Sequence, residues 1–220
     1  MPQWTQEQIW QGMDVIIIGG GHSLQTFPWD MLKRELTIGC NAAYSLGTEV
    51  CSVVFFGDAS FLKDKDHYAG LVKYGGPVFT NAPRLSPPAV KTSWLLTIPR
   101  QSEGLGETSV GWNGNTGAGA INLAFLFGAR RVYLLGFDMH ESTAPNWHEL
   151  YAKKLREQRR ARNLGKHHPY ARFLLGFEAV ARDWKAKFPD RQIINVNDNT
   201  ALRLFPIITV AEFLKERANG

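Results

Sequence analysis

Four β-branched apolar residues, Val15–Ile18, run straight into Gly19-Gly20-Gly21-His22-Ser23, and no other stretch constrains the fold as tightly. A short apolar run without polar alternation is what a strand buried on both faces of a parallel sheet requires. Three glycines let the backbone turn sharply and bring its N–H groups up to an anion with no side chain in the way. Ser23 adds a hydroxyl, and a helix beginning there presents its positive end to the same point. The dinucleotide pattern G-x-G-x-x-G fails because position 24 is Leu24, and no Gly-Lys-Ser/Thr follows to make a Walker loop. The junction therefore reads as a phosphate loop of another type, Gly19–Ser23, with a merely tight strand–helix turn as the alternative.

The rest of the chain alternates strand-like and helical segments. Thr37–Ile38, Val53–Phe56, Pro77–Thr80, Val132–Leu135 and Gln192–Val196 read as strands, with a shorter one at Trp94–Ile98. Helices are expected after the glycine loop, with Pro28 near the first turn and Met31 and Leu32 facing inward, and at Ala118–Phe127, Glu149–Arg162, Pro169–Lys187 and Val210–Arg217. Residues 81–114 hold four prolines and several glycines and suggest a mobile loop near the site. This order predicts a single α/β domain over residues 1–220, an open, mainly parallel, Rossmann-like sheet with helices on both faces. The proposed strands end in small or polar residues: Gly19–Gly21, Gly39-Cys40-Asn41, Gly57-Asp58, Gly136-Phe137-Asp138 and Asn195–Asp198. In such a sheet the carboxyl ends share one edge where ligands bind, so five ends would surround one pocket; the alternative is that these residues simply make turns.

Charge is uneven along the chain. Residues 153–172 carry eight basic side chains against Glu157 alone, a net +7 in a chain whose total is +5. Such a patch suits a phosphate-bearing substrate or nucleic acid, or it is a solvated helix face. No apolar run reaches the length of a membrane-spanning helix, and the first residues lack the pattern of a secretion signal. Cys40 and Cys51 are the only cysteines and are expected to be reduced thiols of a cytoplasmic protein.

Other residues carry chemistry with less definition. In Asn113–Ala120, Asn115 or Thr116 is placed to cap a helix whose first turn, including Gly117, is stripped of bulk for close packing on the sheet or for close approach of a base or ribose. Asp138, His140, His148 and Glu149 fall within twelve residues, but their spacing matches no metal motif, and nucleotide contacts by His140 and Trp147 are the preferred reading. His167-His168 precedes a helix at Pro169 and suits a cap, a plain surface position or a general base. No G-x-S-x-G elbow points to a covalent hydrolase.

The order of these motifs resembles the bacterial sialyltransferases of glycosyltransferase family 42, and with them the motility-accessory (Maf-type) and hydroxymethylpterin-diphosphokinase-like proteins of similar architecture. The family's opening strand–Gly-Asn-Gly-Pro-Ser-Leu is similar to Gly19-Gly20-Gly21-His22-Ser23-Leu24, its Cys-Asn pair to Cys40-Asn41, its Thr-Ser-Gly helix start to Asn115-Thr116-Gly117 and its strand ending in Gly-Ile-Asp to Gly136-Phe137-Asp138. A later family histidine before a long helix looks like His167 or His168. The matches span roughly residues 14–200. The resemblance implies that Gly20, Gly21 and Ser23 hold a donor phosphate, that Asn41 meets its ribose or phosphate, and that Thr116 lies against the base. It further implies that His167 or His168 deprotonates the acceptor hydroxyl. The chain departs from the pattern at Gly20 and His22, and the tyrosines that steady the departing phosphate are absent, with His140 and Trp147 the nearest replacements. A CMP-sialic acid donor fits these departures less well than another activated sugar.

Three functions follow. The first is a metal-independent glycosyltransferase that needs no cofactor beyond its nucleotide-sugar substrate, with a hydroxyl-bearing, anionic acceptor and a mobile lid around residues 141–168. The second is an ATP- and magnesium-dependent pyrophosphokinase of the hydroxymethylpterin type with Asp58 and Asp138 as metal ligands. The third is a non-catalytic nucleotide or nucleic-acid binding module acting through residues 153–172. All three leave room for a homo-oligomer.

Overall fold

The computed structural model describes residues 8–83, 85, 94–140, 146–148, 150 and 169–218. The expected helix over Glu149–Arg162, nearly all of the lid at 141–168, most of the basic segment and both His167 and His168 lie outside these residues.

The run Asp14–Ile18 forms β1, the centre of the sheet, and its residues alternate between two cores as a strand's period of two demands. Val15 and Ile17 join one apolar cluster and Ile16 and Ile18 the other, all four fully buried. Around β1 lie β2 (Thr37–Cys40), β3 (Val53–Phe56), β4 (Val78–Thr80), β5 (Leu95–Thr97), β8 (Arg131–Leu135), β9 (Gln192–Val196) and β10 (Ile207–Ile208). The eight strands run in the order β10-β9-β8-β1-β2-β3-β4-β5, and every neighbouring pair is parallel. A separate two-stranded ribbon joins β6 (Arg100–Gln101) to β7 (Val110–Gly111). The chain thus builds outward from β1 to β5 on one side, then returns to place β8 against β1 and builds the other way. The order reverses between β1 and β8, and that switch point is where an open parallel sheet leaves a crevice beyond its carboxyl ends.

Helices cover both faces. The first cluster packs the sheet against α3 (Thr116–Leu126) and α4 (Pro169–Lys187). The second packs it against α1 (Ser60–Lys63), α2 (Lys65–Tyr74) and α5 (Val210–Ala218). Each fully buried Val, Ile or Leu contributes about 1.5–3 kcal/mol relative to exposure. Among the described residues no helix is long and apolar enough to cross a membrane.

Two expectations need correction. The single helix expected after the glycine loop is a pair of short 3-10 turns, His22–Leu24 and Trp29–Leu32, in which Leu32 is buried while Met31 points outward, 38% exposed. Asn41–Leu46 is a third 3-10 turn that the sequence did not announce. The described part of 81–114 is anchored rather than loose. Asn113 accepts from the Gly104 N–H at 2.6 Å, and Asn122, buried within α3, accepts from the N–H groups of Gly106 and Gly111 at 2.8 and 2.9 Å. Asp183 on α4 accepts the Leu105 N–H at 2.9 Å.

Candidate functional site

At the switch point the loop after β1 meets the segment after β8. The Gly19 N–H donates to the Leu135 carbonyl at 2.8 Å and the Gly21 N–H to the Gly136 carbonyl at 2.9 Å, so the two strand ends stay stitched beyond the last ladder pair, Ile18 with Leu135. Gly21 has an ordinary φ of −62°, and its glycine is needed for space instead. A Cβ there would come within 2.6 Å of both the Gly136 carbonyl and the Asp138 carboxylate. Gly19 is similarly closed, with the Gly136 carbonyl 2.7 Å from where its Cβ would be. Gly20 differs: its nearest neighbours would be His148 Nε2 at 3.5 Å and Asn146 Nδ2 at 3.6 Å, ordinary contact distances. Among the described residues the N–H groups of Gly20 and His22 have no acceptor.

Asp138, almost fully buried, is the hub of the crevice. Its Oδ1 accepts the Ser23 hydroxyl at 2.5 Å and the Asn197 amide at 2.6 Å, and its Oδ2 accepts the Ser23 N–H at 3.1 Å and faces His22 Nδ1 at 2.8 Å. Ser23 and Asp138, both expected to face a ligand, therefore face each other. The carboxylate fills the position in which the Ser23 donors would otherwise meet an outside anion, and it leaves Gly20 and His22 as the loop's available N–H donors. Asn197 was legible as a strand-end residue, but its link to Asp138 was not.

The flanks of the crevice are aromatic and imidazole. Trp147 donates its indole N–H to the Gly19 carbonyl at 2.8 Å and packs on Trp29, ring centroids 4.8 Å apart. His140 stands edge-on to His22 at 5.3 Å, with its Nε2 3.1 Å from the Asn199 carbonyl. The next strand over brings Asn41, in the left-handed region at φ 53°, to within 3.4 Å of the Thr116 hydroxyl, which donates to its side-chain oxygen. Asn115 caps α3 by accepting from the N–H of Gly117 at 2.8 Å. Its amide nitrogen is buried with no acceptor among the described residues. Gly117 serves packing: a Cβ would fall 2.3 Å from the Phe137 ring. Asp58, at the end of β3, is exposed and accepts the Ser60 N–H at 2.9 Å as the start of α1. Three of the five expected strand ends thus meet, Gly19–Ser23 with Asp138 and Asn197, while Asn41 meets Thr116 and Asp58 stands apart.

Neither expected magnesium ligand is arranged for a cation. Both oxygens of Asp138 are engaged by Ser23, Asn197 and His22, and Asp58, on the surface and apart from Asp138, accepts the Ser60 N–H. Among the described residues no cluster of His, Cys, Asp or Glu has metal-binding geometry.

An open parallel sheet with helices on both faces and a glycine loop at its switch point defines the class: a doubly wound, Rossmann-like α/β fold. Within that class the structure is similar to the monofunctional alpha-2,3-sialyltransferase Cst-I from Campylobacter jejuni, with a TM-score of 0.51 and 15% identity over 94% of this chain and 82% of the other. It is similar also to the sialyltransferase CstII from Campylobacter jejuni in complex with cytidine-5'-monophosphate, TM-score 0.51 and 15% identity over 89% and 84%. The MAf glycosyltransferase from Magnetospirillum magneticum AMB-1 superposes with a TM-score of 0.56 and 16% identity, covering 94% of this chain but 35% of that one. At these identities the likeness is one of fold. No sequence family and no curated protein matches the chain.

Proposed function

We propose that this protein is a metal-independent glycosyltransferase that takes a nucleotide-activated sugar at the β1–β8 crevice. The observation that carries the reading is the half-buried Gly20, where a Cβ would make only ordinary contacts. Its N–H and that of His22 have no acceptor among the described residues, at the switch point of a fold shared with sialyltransferases of which one is in complex with cytidine-5'-monophosphate. On this reading the donor phosphate lies on the Gly19–Gly21 backbone, with the N–H groups of Gly20 and His22 as its ligands. Asn41, Thr116 and the free Asn115 amide face the ribose and base, and His140 and Trp147 border the sugar end.

The reaction is a displacement at the anomeric carbon. The acceptor oxygen forms the new bond, the bond to the phosphate oxygen breaks, and its electron pair leaves on the nucleotide. His167 or His168 takes the acceptor proton. The pyrophosphokinase reading is disfavoured by the engagement of both Asp138 oxygens within the chain, because its chemistry needs that carboxylate on magnesium.

A thermal-shift titration with cytidine and uridine 5'-monophosphates tests the site. At a hundredfold excess over its dissociation constant a bound nucleotide adds about 2.7 kcal/mol, which for a domain of this size is a rise of about 5–11 °C. Joint replacement of His167 and His168 by Ala should abolish transfer and leave that rise intact. No rise with any nucleotide, together with salt-sensitive polynucleotide binding, would replace this reading with the nucleic-acid module.

A further inference from the structure

Asp138 is more than a brace for Ser23. Held at Oδ1 by the Ser23 hydroxyl and the Asn197 amide, and 4% exposed, it presents Oδ2 to His22 Nδ1 at 2.8 Å. A carboxylate so placed keeps the proton on Nδ1 and makes Nε2 the ring nitrogen that exchanges protons. The His22 ring is 27% exposed, so it borders the crevice rather than the core. It also belongs to the loop whose backbone N–H groups are the proposed phosphate ligands.

Resting on the proposed glycosyl transfer, we infer that His22 is the proton donor to the departing phosphate, with Asp138 as its positioning residue. As the bond between the anomeric carbon and the phosphate oxygen breaks, the electron pair settles on that oxygen, which takes the proton from Nε2 of the His22 imidazolium. The acceptor's proton leaves separately to His167 or His168, and His22 is recharged from solvent. The Asp138 carboxylate stabilises the imidazolium before transfer and holds the ring in place after it. Among the described residues the other titratable groups around His22 are His140, edge-on at 5.3 Å, and His148, whose Nε2 would lie 3.5 Å from a Cβ on the neighbouring Gly20.

The experiment is long-range 1H–15N NMR of the imidazole nitrogens on the full chain, with and without cytidine 5'-monophosphate, the His22 signals being assigned by their loss in His22→Gln. Neutral His22 is expected as the Nδ1–H tautomer, and bound phosphate is expected to shift its Nε2 signal. In Asp138→Asn, checked for folding by circular dichroism, the Nδ1–H preference is lost. If the nucleotide moves the Gly20 and Gly21 amides but leaves the His22 Nε2 signal unchanged, the proton-donor role is overturned while the binding reading stands. If those amides do not move at all, the nucleotide reading falls and the role goes with it. An Nε2–H tautomer in the wild type, which needs no ligand to observe, overturns the dyad directly.

Discussion

Alanine at Gly20 and alanine at Gly21 are the same change one residue apart, and the structure assigns them opposite consequences. At Gly21 the new methyl would sit 2.6 Å from the Gly136 carbonyl and from Asp138 Oδ2, and 2.7 Å from Asp138 Cγ. None of these is the free end of a flexible chain: one is backbone of the stitched strand ends, and the others belong to a carboxylate held by three residues. Relief requires the β1 and β8 ends to separate, an overpacking cost of about 1–3 kcal/mol. For a domain of this size that lowers Tm by about 2–12 °C. At Gly20 the nearest atoms lie at 3.5 and 3.6 Å, and φ is outside the left-handed region, so the folded state should change by no more than about 0.5 kcal/mol. The methyl does occupy the face against which a phosphate would rest. Thermal melts of both variants, each with and without saturating cytidine 5'-monophosphate, separate the two effects. Gly20→Ala is expected to melt with the wild type and lose the ligand-induced rise; Gly21→Ala is expected to melt low even without ligand. A Gly20→Ala protein that keeps the full rise would refute the loop as the phosphate site. A Gly21→Ala protein as stable as wild type would refute the packing argument.

Asn122→Ala removes the acceptor for two buried N–H groups, those of Gly106 and Gly111, and should cost at least about 2 kcal/mol in urea denaturation. Burial tends to raise the pKa of Asp14, but hydrogen bonds from Arg131 and Arg217 outweigh it and hold the carboxyl below its ordinary value. Asp183 is likewise held low, its burial outweighed by the Leu105 N–H, Lys187 and Arg182. Both groups bind a proton less readily folded than unfolded, so their stabilisation is complete above about pH 4 and is lost as pH falls through the lowered folded values. Melts from pH 6 down to 2 should therefore show a decline that is shallower in Asp14→Asn and Asp183→Asn. Burial pushes the Cys51 thiol up to about 12 and raises Cys40 further, so neither should react with a thiol reagent at pH 8 until the chain is unfolded. A chelator should leave transfer activity unchanged; its loss would revive the magnesium-dependent reading.

The sheet was legible because its strands are unbroken apolar runs, and a run such as Val15–Ile18 or Val53–Phe56 has no polar face to turn to solvent. Helix α3 was legible for the same reason, and α4 from its length and its proline start. Helix α2 was not. It opens on Lys65-Asp66-His67 and has Gly70 in its middle, which reads as a breaker until Tyr44 is seen against it: a Cβ at Gly70 would fall 2.3 Å from that ring. The glycine loop was placed correctly, but the use of Ser23 was not, because the Asp138 that claims its donors is 115 residues away. Local spacing cannot report such a pairing. The same holds for His22, which reads in sequence as a departure from a family pattern and in space as half of an imidazole–carboxylate pair.

The two ends of the β1–β8 pair explain why that pairing is reproducible. In this register Asp14 lies opposite Arg131 at one end and Ile18 opposite Leu135 at the other. At the first end Arg131 donates from Nε to Asp14 at 2.8 Å, Arg217 on α5 donates to the same carboxylate at 2.9 Å, and Tyr133 donates to Glu216 at 2.7 Å. A slip of one residue would break this network and turn every side chain of β1 to the wrong core. In one direction it would also set His22 in the place of Gly21, bringing a side chain rather than a hydrogen atom against Asp138. The ion pairs at the amino ends are therefore a register lock whose effect is felt at the carboxyl ends, where the His22–Asp138 geometry depends on glycine standing in one place.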